Sequence, residues 1–263
     1  MSILNSLRPE PHLRVLVTAG ANGIGAAIAR AFREAGARVH VCDIDRTALD
    51  RLSVDAPGIT ASMADASVPA DVDAVFADVH RTLGGLDVLV NNAGIAGPTG
   101  SVDSIEPADW ERTISVNLNS QYYFARRAVP LLRQSRASPS LIAISSVAGR
   151  LGYAQRTPYA ASKWAIVGMS KSLAIELGPQ SIRVNAILPG TVEGPRMDGV
   201  IAARAATQGM SVDEMRQQYL NKISLRRMVT ADDVAALALY LSSPAARNMT
   251  GQAISIDGNV EYL

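Results

Sequence analysis

Short apolar runs alternate with amphipathic segments along most of the chain. The runs have the length and β-branched content of buried strands, whereas the segments between them repeat apolar residues at three- and four-residue spacing, as helices with one buried face do. Strands are predicted over residues 13–18, 38–42, 86–90, 141–145 and 182–188, with a weaker candidate at 59–62. Helices are predicted over residues 24–35, 68–83, 107–133 and 159–177. Strict alternation of this kind predicts an α/β fold, a doubly wound parallel sheet with helices on both faces.

The stretch from residue 190 to residue 227 interrupts this alternation. It has no strand pattern, but its apolar side chains suggest short helices with an adaptable apolar face. These side chains are Met197, Val200, Ile201, Met210, Met215, Tyr219 and Leu220. An insertion between a strand and the next helix lies at the carboxyl edge of the sheet, where α/β folds bind ligands. We therefore expect a short helical substrate lid at 190–227, with a packing or subunit-contact helix pair as the alternative.

Length and charge narrow the classes of function. A chain of 263 residues suits one large domain, 1–263, and 25 basic against 24 acidic side chains leave a net charge of +1, which gives no field for binding nucleic acid or an anionic membrane. No apolar stretch is long enough to span a membrane, and the amino terminus lacks the pattern of a signal peptide. A cytoplasmic protein with a small-molecule substrate is the expectation.

The cysteine and histidine content argues against a metal site. Cys42 is the sole cysteine, and His12, His40 and His80 are far apart in the sequence. None of them has the spacing of metal ligands, so no metal is expected.

A glycine-rich turn at residues 18–25 joins the first strand to the first helix. Glycine lets the backbone approach a pyrophosphate, which then meets the free amides and the positive dipole end of the helix. A turn that binds nothing is the alternative. Asp43 ends the second strand 18 residues after Gly25; a carboxylate there accepts both ribose hydroxyls of an adenosine and repels a 2′-phosphate, which favours NAD over NADP. Asp45 competes for this role, and a solvated loop carboxylate is the other alternative.

A second group of residues has acid–base character. Tyr159 and Lys163 lie four residues apart on a predicted helix, so phenol and ammonium share a face, and the cation favours the phenolate. Ser145 and Ser146 end the preceding strand, where a hydroxyl can orient a carbonyl oxygen. Asn117 lies in a helix although asparagine is a mediocre helix former. Taken singly, each of the last three is equally explained as a cap or an interior hydrogen bond.

In this order the motifs resemble those of the short-chain dehydrogenase/reductase family, in its single-domain branch of roughly 250 residues. The resemblance covers residues 13 to about 258. The matching features are the glycine turn, Asp43, residues 91–94, Asn117, Ser146, the Tyr159/Lys163 pair and residues 189–190. The family implies a Rossmann-type domain that transfers a hydride between a nicotinamide and a secondary alcohol or ketone.

Residue roles follow from the resemblance by position. Tyr159 is implied to be the general acid/base, Lys163 to lower its pKa and bind the nicotinamide ribose, and Ser146 to position the substrate oxygen. Ser146 is preferred to Ser145 because it lies 13 residues before the tyrosine, and Asn117 would complete a proton relay. The implied NAD-binding residues are Thr18, Gly20, Asn22, Gly23, Ile24, Gly25, Asp43, Asp65 at the adenine, Asn92, Ala93, Gly94, Tyr159, Lys163, Pro189, Gly190 and Val192.

The family also implies a homotetramer, a dimer of dimers, in which the helices containing Asn117 and Tyr159 pack against their copies. Two departures from its pattern bear on cofactor affinity, since Ala19 replaces a usual glycine and Gly194 a frequent threonine. A nicotinamide-binding sensor or scaffold without turnover is the alternative function. Arg150, Arg156 and Arg196 are candidates to meet an anionic substrate group, with solvated arginine as the alternative for each.

Overall fold

The computed structural model describes residues 2–261, and its centre is a seven-stranded sheet in which every pair is parallel. The strands run in the order β3-β2-β1-β4-β5-β6-β7, so the direction of winding reverses between β1 and β4. Their bounds are β1 Arg14–Thr18, β2 Arg38–Asp43, β3 Thr60–Met63, β4 Val88–Asn91, β5 Ser140–Ile144, β6 Arg183–Pro189 and β7 Ala253–Ile256. The doubly wound parallel sheet predicted from the sequence is confirmed, in a single domain.

Helices cover both faces of this sheet. One face packs against α2, α3 and α10, and the other against α4, α6 and α7. The helix bounds are α1 Ile3–Ser6, α2 Gly23–Glu34, α3 Arg46–Asp55, α4 Pro69–Leu83, α5 Pro107–Ile114, α6 Ser120–Leu132, α7 Thr157–Leu177, α8 Pro195–Gln208, α9 Val212–Asn221 and α10 Ala231–Ser242.

The three central residues of strand β1 are all apolar, because both faces of the sheet are covered there. Val15 and Val17 belong to the apolar cluster that includes Phe32, whereas Leu16 belongs to the opposite cluster with Phe124. Successive side chains of a strand point to opposite faces, and both faces here are covered by helices. Val15, Leu16 and Val17 are therefore all buried, and the middle of the strand has no polar side.

A polar network joins the edge strand β3 and its neighbour β2 to α4. His40 is 1% exposed, and its Nδ1 and Nε2 lie 2.8 Å from Thr60 Oγ1 and 2.9 Å from Ser62 Oγ. Ser62 in turn donates to Asp78 at 2.5 Å. Burial outweighs the attraction of Asp78 and lowers the pKa of His40 to about 4, so the imidazole is neutral in the folded protein at neutral pH.

The helix predicted over 107–133 is present over 107–132, but it is not α-helical throughout, because a π turn lies within it. α5 ends at Ile114, a five-residue π turn follows at Ser115–Asn119, and α6 begins at Ser120. A π turn inserts one extra residue into the helical ladder, and such insertions are frequent at functional sites. Here the turn contains Asn117.

The stretch from 190 to 227 forms the helices α8 and α9, as its apolar pattern predicts. They share a small apolar cluster of their own, separate from the two large ones. Its buried members are Ile201, Ala205, Met215, Tyr219 and Met228. The pair follows β6 directly and therefore lies above the carboxyl edge of the sheet.

Candidate active site

A cavity of about 690 Å³ opens at the carboxyl edge of the sheet, beside the reversal of winding between β1 and β4. Most of the predicted site residues line it. These are Asn22, Gly23, Ile24, Asp43, Asn92, Gly94, Ser146, Tyr159, Lys163, Pro189, Gly190 and Val192. The remaining six, Thr18, Gly20, Gly25, Asp65, Ala93 and Asn117, lie outside its lining. The cavity therefore joins the glycine turn to the tyrosine and lysine in one continuous space.

The glycine turn fits the phosphates of a dinucleotide. No side chain caps the amino end of α2, so its first amides remain available to an anion. Gly23 has a φ of +51°, and a Cβ there would have no atom within 4 Å, because that side of the residue is open space. A Cβ on Gly25, in contrast, would lie 2.1 Å from the Ala19 carbonyl oxygen. Gly25 keeps the turn compact, and Gly23 leaves it open to a ligand.

Two residues that depart from the family pattern adopt left-handed backbone. Ala19 has a φ of 48°, a conformation in which a Cβ is unfavourable, so the alanine carries strain that glycine would avoid. Gly194 has a φ of 133°, which only glycine adopts readily. The backbone thus explains the glycine at 194, where a threonine would be strained.

Thr18 and Asn92 hold the glycine turn against the end of β4. Asn92 also lines the cavity, whereas Thr18 does not. Thr18 Oγ1 accepts the N–H groups of Asn92 and Ala93, both at 2.9 Å. The Asn92 side-chain amide donates to the carbonyl oxygens of Thr18 and Ala19, both at 3.0 Å. These four bonds tie the end of β1 to the end of β4 and fix the shape of the turn.

Asp43 stands at the far end of the cavity and is held by backbone amides. It accepts from the N–H of Ala21 at 3.0 Å and from that of Asp45 at 3.1 Å. Asp45, its competitor in the sequence, instead caps α3 by accepting from Ala48 and does not line the cavity. Arg51 lines the same end of the cavity, and no motif in the sequence had indicated this residue.

Asp65 is bound within its own loop. Its carboxylate accepts from the backbone N–H of Ser67 at 2.8 Å and from the hydroxyl of the same residue at 2.6 Å. The side chain lies outside the cavity lining, so an adenine contact through Asp65 stays a prediction.

Tyr159 and Lys163 occupy the inner end of the cavity on successive turns of α7. Lys163 is 3% exposed, donates to the Ile144 carbonyl oxygen at 3.0 Å, and places Nζ 5.6 Å from the centre of the Tyr159 ring. Burial opposes ionisation of the phenol, but the charges of Lys163 and Arg196 outweigh it, and the pKa of Tyr159 falls below its ordinary value. Burial also lowers the pKa of Lys163 to about 8, although Tyr159 counteracts it.

The two serines at the end of β5 have different partners. Ser145 donates to the Lys163 carbonyl oxygen at 2.8 Å and so fastens α7 to the sheet. Ser146 accepts from the Ala148 amide at 3.2 Å, and its hydrogen bond to Tyr159 favours the phenolate. The geometry thus places Ser146, the serine preferred from the sequence, beside the phenol.

Asn117 is fully buried and joins three elements. Its Oδ1 accepts from the Ile95 amide at 2.7 Å, while its Nδ2 donates to the Ile95 carbonyl and to Ser162 Oγ, both at 3.1 Å. A Cβ on Gly94 would lie 3.2 Å from Asn117 Oδ1 and 3.5 Å from Lys163 Nζ. The asparagine and the ammonium group therefore both lie close to Gly94.

Arginine and tyrosine side chains form a wall on the side of the cavity that faces α8 and α9, and sequence reasoning did not predict this wall. Tyr153 and Tyr219, 66 residues apart, share a hydrogen bond at 2.8 Å between their hydroxyls, and Arg204 donates to Tyr219 from behind at 3.2 Å. Arg156 and Arg196 line the cavity beside these rings. Arg150, the third candidate arginine, instead forms an ion pair with Asp257 at 2.8 Å.

A sequence model of a protein family, described as enoyl-(acyl carrier protein) reductase, matches residues 18–260. Galactitol 2-dehydrogenase of Agrobacterium fabrum is 33% identical over 244 residues, covering 92% of this chain and 95% of the relative. D-beta-hydroxybutyrate dehydrogenase of Cupriavidus necator is 34% identical over 249 residues, with the same two coverages of 92% and 95%. The chain belongs to the short-chain dehydrogenase/reductase family.

This family membership makes the protein an oxidoreductase that uses a nicotinamide cofactor. Among solved structures, a variant of actinorhodin polyketide ketoreductase with NADPH superposes with a TM-score of 0.89 at 29% identity, over 94% of this chain and 96% of the other. The relatives act on a polyol, a hydroxy acid and a polyketide by their names, so membership alone leaves the substrate of this chain open.

None of the helices within residues 2–261 has the length and apolar character to cross a membrane, and no group of three potential ligand side chains there is placed to hold a metal ion. Large apolar side chains are nevertheless exposed on α5, α6 and α7. They are Trp110, Tyr122, Trp164 and Ile175.

Proposed function

We propose that this protein is an NAD(H)-dependent dehydrogenase or reductase that interconverts a secondary alcohol and a ketone. The observation that carries the proposal is the position of Tyr159, with Lys163 and Ser146 beside it, in the same cavity as the open glycine turn. A phenol whose pKa is lowered by neighbouring charge can exchange a proton with a substrate oxygen near neutral pH. A bound nicotinamide supplies the hydride acceptor or donor.

In the oxidative direction, the Ser146 hydroxyl and the Tyr159 phenolate hold the substrate hydroxyl between them. Tyr159 takes the hydroxyl proton while the carbinol carbon loses its hydride, and the carbon becomes a carbonyl. Lys163 stabilises the phenolate before the step, since its charge favours the ionised form. Reduction runs through the same residues in reverse, with Tyr159 returning the proton.

Asn117 serves this chemistry by holding the loop that follows β4. Its contacts with both backbone groups of Ile95 fix the segment next to Gly94 and the ammonium of Lys163. We propose that it completes a proton relay from Lys163 to solvent. The π turn supports this role, because it allows the side chain to reach across to the neighbouring segment without ending the helix.

Asp43 supports NAD rather than NADP as the cofactor. The carboxylate lies at the cavity end away from Tyr159 and retains acceptor capacity beyond its two amide partners. A ribose 2′-hydroxyl can donate to it, whereas a 2′-phosphate would be repelled. Arg51 at the same end of the cavity carries a positive charge that would instead favour the 2′-phosphate of NADP. Turnover therefore has to be measured with both NAD and NADP.

The experiment that tests the reaction is turnover of a panel of alcohols and ketones, followed at 340 nm with NAD(H) and NADP(H). Tyr159→Phe is expected to abolish turnover while NADH still binds, because only the phenol oxygen is removed. Tyr240→Phe is the matched control, since that tyrosine lies on α10 and does not line the cavity. Near-wild-type turnover in Tyr159→Phe would refute the mechanism, and NADH binding without turnover of any substrate in the wild type would favour a sensor or scaffold.

The cofactor assignment has its own test in Asp43→Ala. The ratio of kcat/KM for NAD to that for NADP is expected to fall, because the repulsion of a 2′-phosphate is lost while the rest of the cavity is unchanged. An unchanged ratio would count against the role of Asp43.

We also propose a homotetramer, a cytoplasmic location and a lid function for residues 190–227. The exposed apolar side chains on α5, α6 and α7 support association through these helices, because exposed patches of this kind mark interfaces. Met197, Val200 and Tyr219 line the cavity and support the lid. Sedimentation of the purified protein tests the association: a monomer at micromolar concentration would contradict it.

A further inference from the structure

Arg156 is a buried cation without a carboxylate partner. It is 4% exposed at the start of α7, three residues before Tyr159. Its Nη2 donates to the Ala96 carbonyl oxygen at 2.6 Å, but its Nε has no hydrogen-bond partner, and it forms no ion pair within residues 2–261. Burying a guanidinium is costly unless an anion compensates it. Its environment is therefore incomplete in the protein alone.

The Arg156 guanidinium borders the space where a substrate would react. Its Cζ lies 5.1 Å from the centre of the Tyr159 ring and 5.3 Å from that of the Tyr153 ring. All three residues line the cavity. The two rings hold the guanidinium in place and leave few orientations to it, so an anion binding there loses little entropy in ordering the side chain.

The charges around this end of the cavity have one sign. Lys163 and Arg196 line it together with Arg156, and the charge of Arg196 reaches both Tyr159 and Lys163. The acidic residues of the lining are Asp43, which the amides at the glycine turn engage, and Glu193, which is exposed in the segment after β6. Neither has an ion pair with Arg156, so the substrate end of the cavity is positive.

We propose that the substrate is a short-chain hydroxy acid, or the corresponding oxo acid, whose carboxylate is bound by Arg156. This inference rests on the proposed function and names its substrate class. A guanidinium binds a carboxylate with N–H···O bonds of about 2.7–2.9 Å. Because the guanidinium lies so close to the Tyr159 ring, the carboxylate and the reacting hydroxyl have to be separated by only a few bonds.

The carboxylate takes no part in the redox step. On oxidation the carbinol carbon gives its hydride to NAD+, which becomes NADH, and the hydroxyl proton passes to the Tyr159 phenolate. The hydroxy acid leaves as the oxo acid with its carboxylate unchanged. Arg156 is thus a binding and specificity residue, which places the carbinol carbon by holding the other end of the molecule.

The test compares acids with neutral molecules of the same shape. The panel contains 2-hydroxybutyrate, 3-hydroxybutyrate and 4-hydroxypentanoate, which are all secondary alcohols, and the corresponding hydroxyamides, each assayed with NAD. The wild type is expected to prefer at least one acid over its amide by about 30-fold or more in kcat/KM, the lower range for losing one partner of a desolvated charge pair. Arg156→Gln is expected to abolish this preference, and Arg156→Lys to restore part of it.

The acid-to-amide ratio separates binding of the carboxylate from any effect of Arg156 on Tyr159, because that effect acts on both substrates. The matched control is Arg136→Gln, an exposed arginine that precedes the amino end of β5, at the opposite edge of the sheet. A readout that needs no turnover is calorimetric titration of the NADH-loaded protein with butyrate and butyramide. Butyrate is expected to bind the wild type and Arg136→Gln, but not Arg156→Gln; NADH binding by each variant verifies that it is folded.

The outcomes distinguish this inference from the function it rests on. Turnover of neutral alcohols without any preference for acids, or no binding of butyrate to the wild type, would overturn the carboxylate assignment and leave the dehydrogenase function intact. Loss of the preference in Arg196→Gln but not in Arg156→Gln would overturn the assignment to Arg156. No turnover of any alcohol or ketone, acid or neutral, would instead refute the proposed function.

Discussion

We predict that acidification lowers the free energy of unfolding, because His40 is buried in its neutral form between β2, β3 and α4. The pKa of this imidazole falls from 6.5 to about 4 on folding, mainly because it is buried. The unfolded chain therefore binds more protons between these two values, and stability is lost as pH falls through this window and is fully present above it. Working through the linkage relation gives a loss of about 2 kcal/mol between about pH 7 and pH 5, from this one group.

Urea unfolding of the wild type and of His40→Gln at both pH values measures this loss. Glutamine preserves hydrogen-bonding capacity towards Thr60 and Ser62 but does not titrate, so the variant should lose less stability than the wild type over the same interval. His12, His80 and the carboxylates remain in both proteins, and their contributions cancel in the comparison. Equal losses in the two proteins would refute the inference that burial suppresses protonation of His40.

Three further predictions concern the packing and the electrostatics of the protein. Gly25→Ala forces a Cβ against the Ala19 carbonyl, so it should lower the free energy of unfolding by about 1–3 kcal/mol and weaken NADH binding. Gly199→Ala is the control: it adds a Cβ in open space within α8 and should raise the free energy of unfolding by about 0.5–1 kcal/mol. Thermal unfolding and NADH titration measure both variants, and similar effects of the two would contradict the prediction. Asp87→Asn breaks the ion pair between the buried Asp87 and the partly buried Arg14 and should lower the free energy of unfolding by about 2–3 kcal/mol. A change below about 1 kcal/mol in urea unfolding, the range of surface ion pairs, would count against this. Lys163→Met should raise the pKa of Tyr159 and move to higher pH the acidic limb of the oxidation pH profile, on which activity is lost as the phenolate is protonated; an unmoved limb would exclude the lysine from that role.

The parallel sheet was predictable because its inner strands are buried on both faces, which makes their sequences largely apolar runs, whereas the edge strands β3 and β7 are mostly exposed and give weaker patterns. The elements that the sequence could not define depend on tertiary contacts. The π turn at Ser115–Asn119 interrupts a periodic pattern that is compatible with one long helix, and only the contact of Asn117 with Ile95 shows what the interruption does. Strand β4 begins at Val88, two residues later than its apolar pattern predicts.

The part of the candidate site that was predictable is the part whose residues belong to motifs of fixed spacing. Tyr159, Lys163 and Ser146 meet as their spacing indicates. The wall opposite them was not predictable, because Tyr153 and Tyr219 come from segments that touch only after folding. Arg156 is indistinguishable from a solvated arginine in a chain rich in arginine, and its burial emerges only from the packing of α7 against the preceding loop.

The separate apolar cluster of α8 and α9 affects how easily this helix pair moves when ligands enter and leave, and how freely its sequence can change. Because Ile201, Met215 and Met228 pack among themselves rather than into either face of the sheet, the helix pair can move or unfold locally at a cost well below that of global unfolding. Amide hydrogens there should exchange with solvent sooner than those of β1 or β4. The same independence lets substitutions in this pair reshape what the enzyme accepts, while the sheet that carries the dinucleotide site keeps its stability.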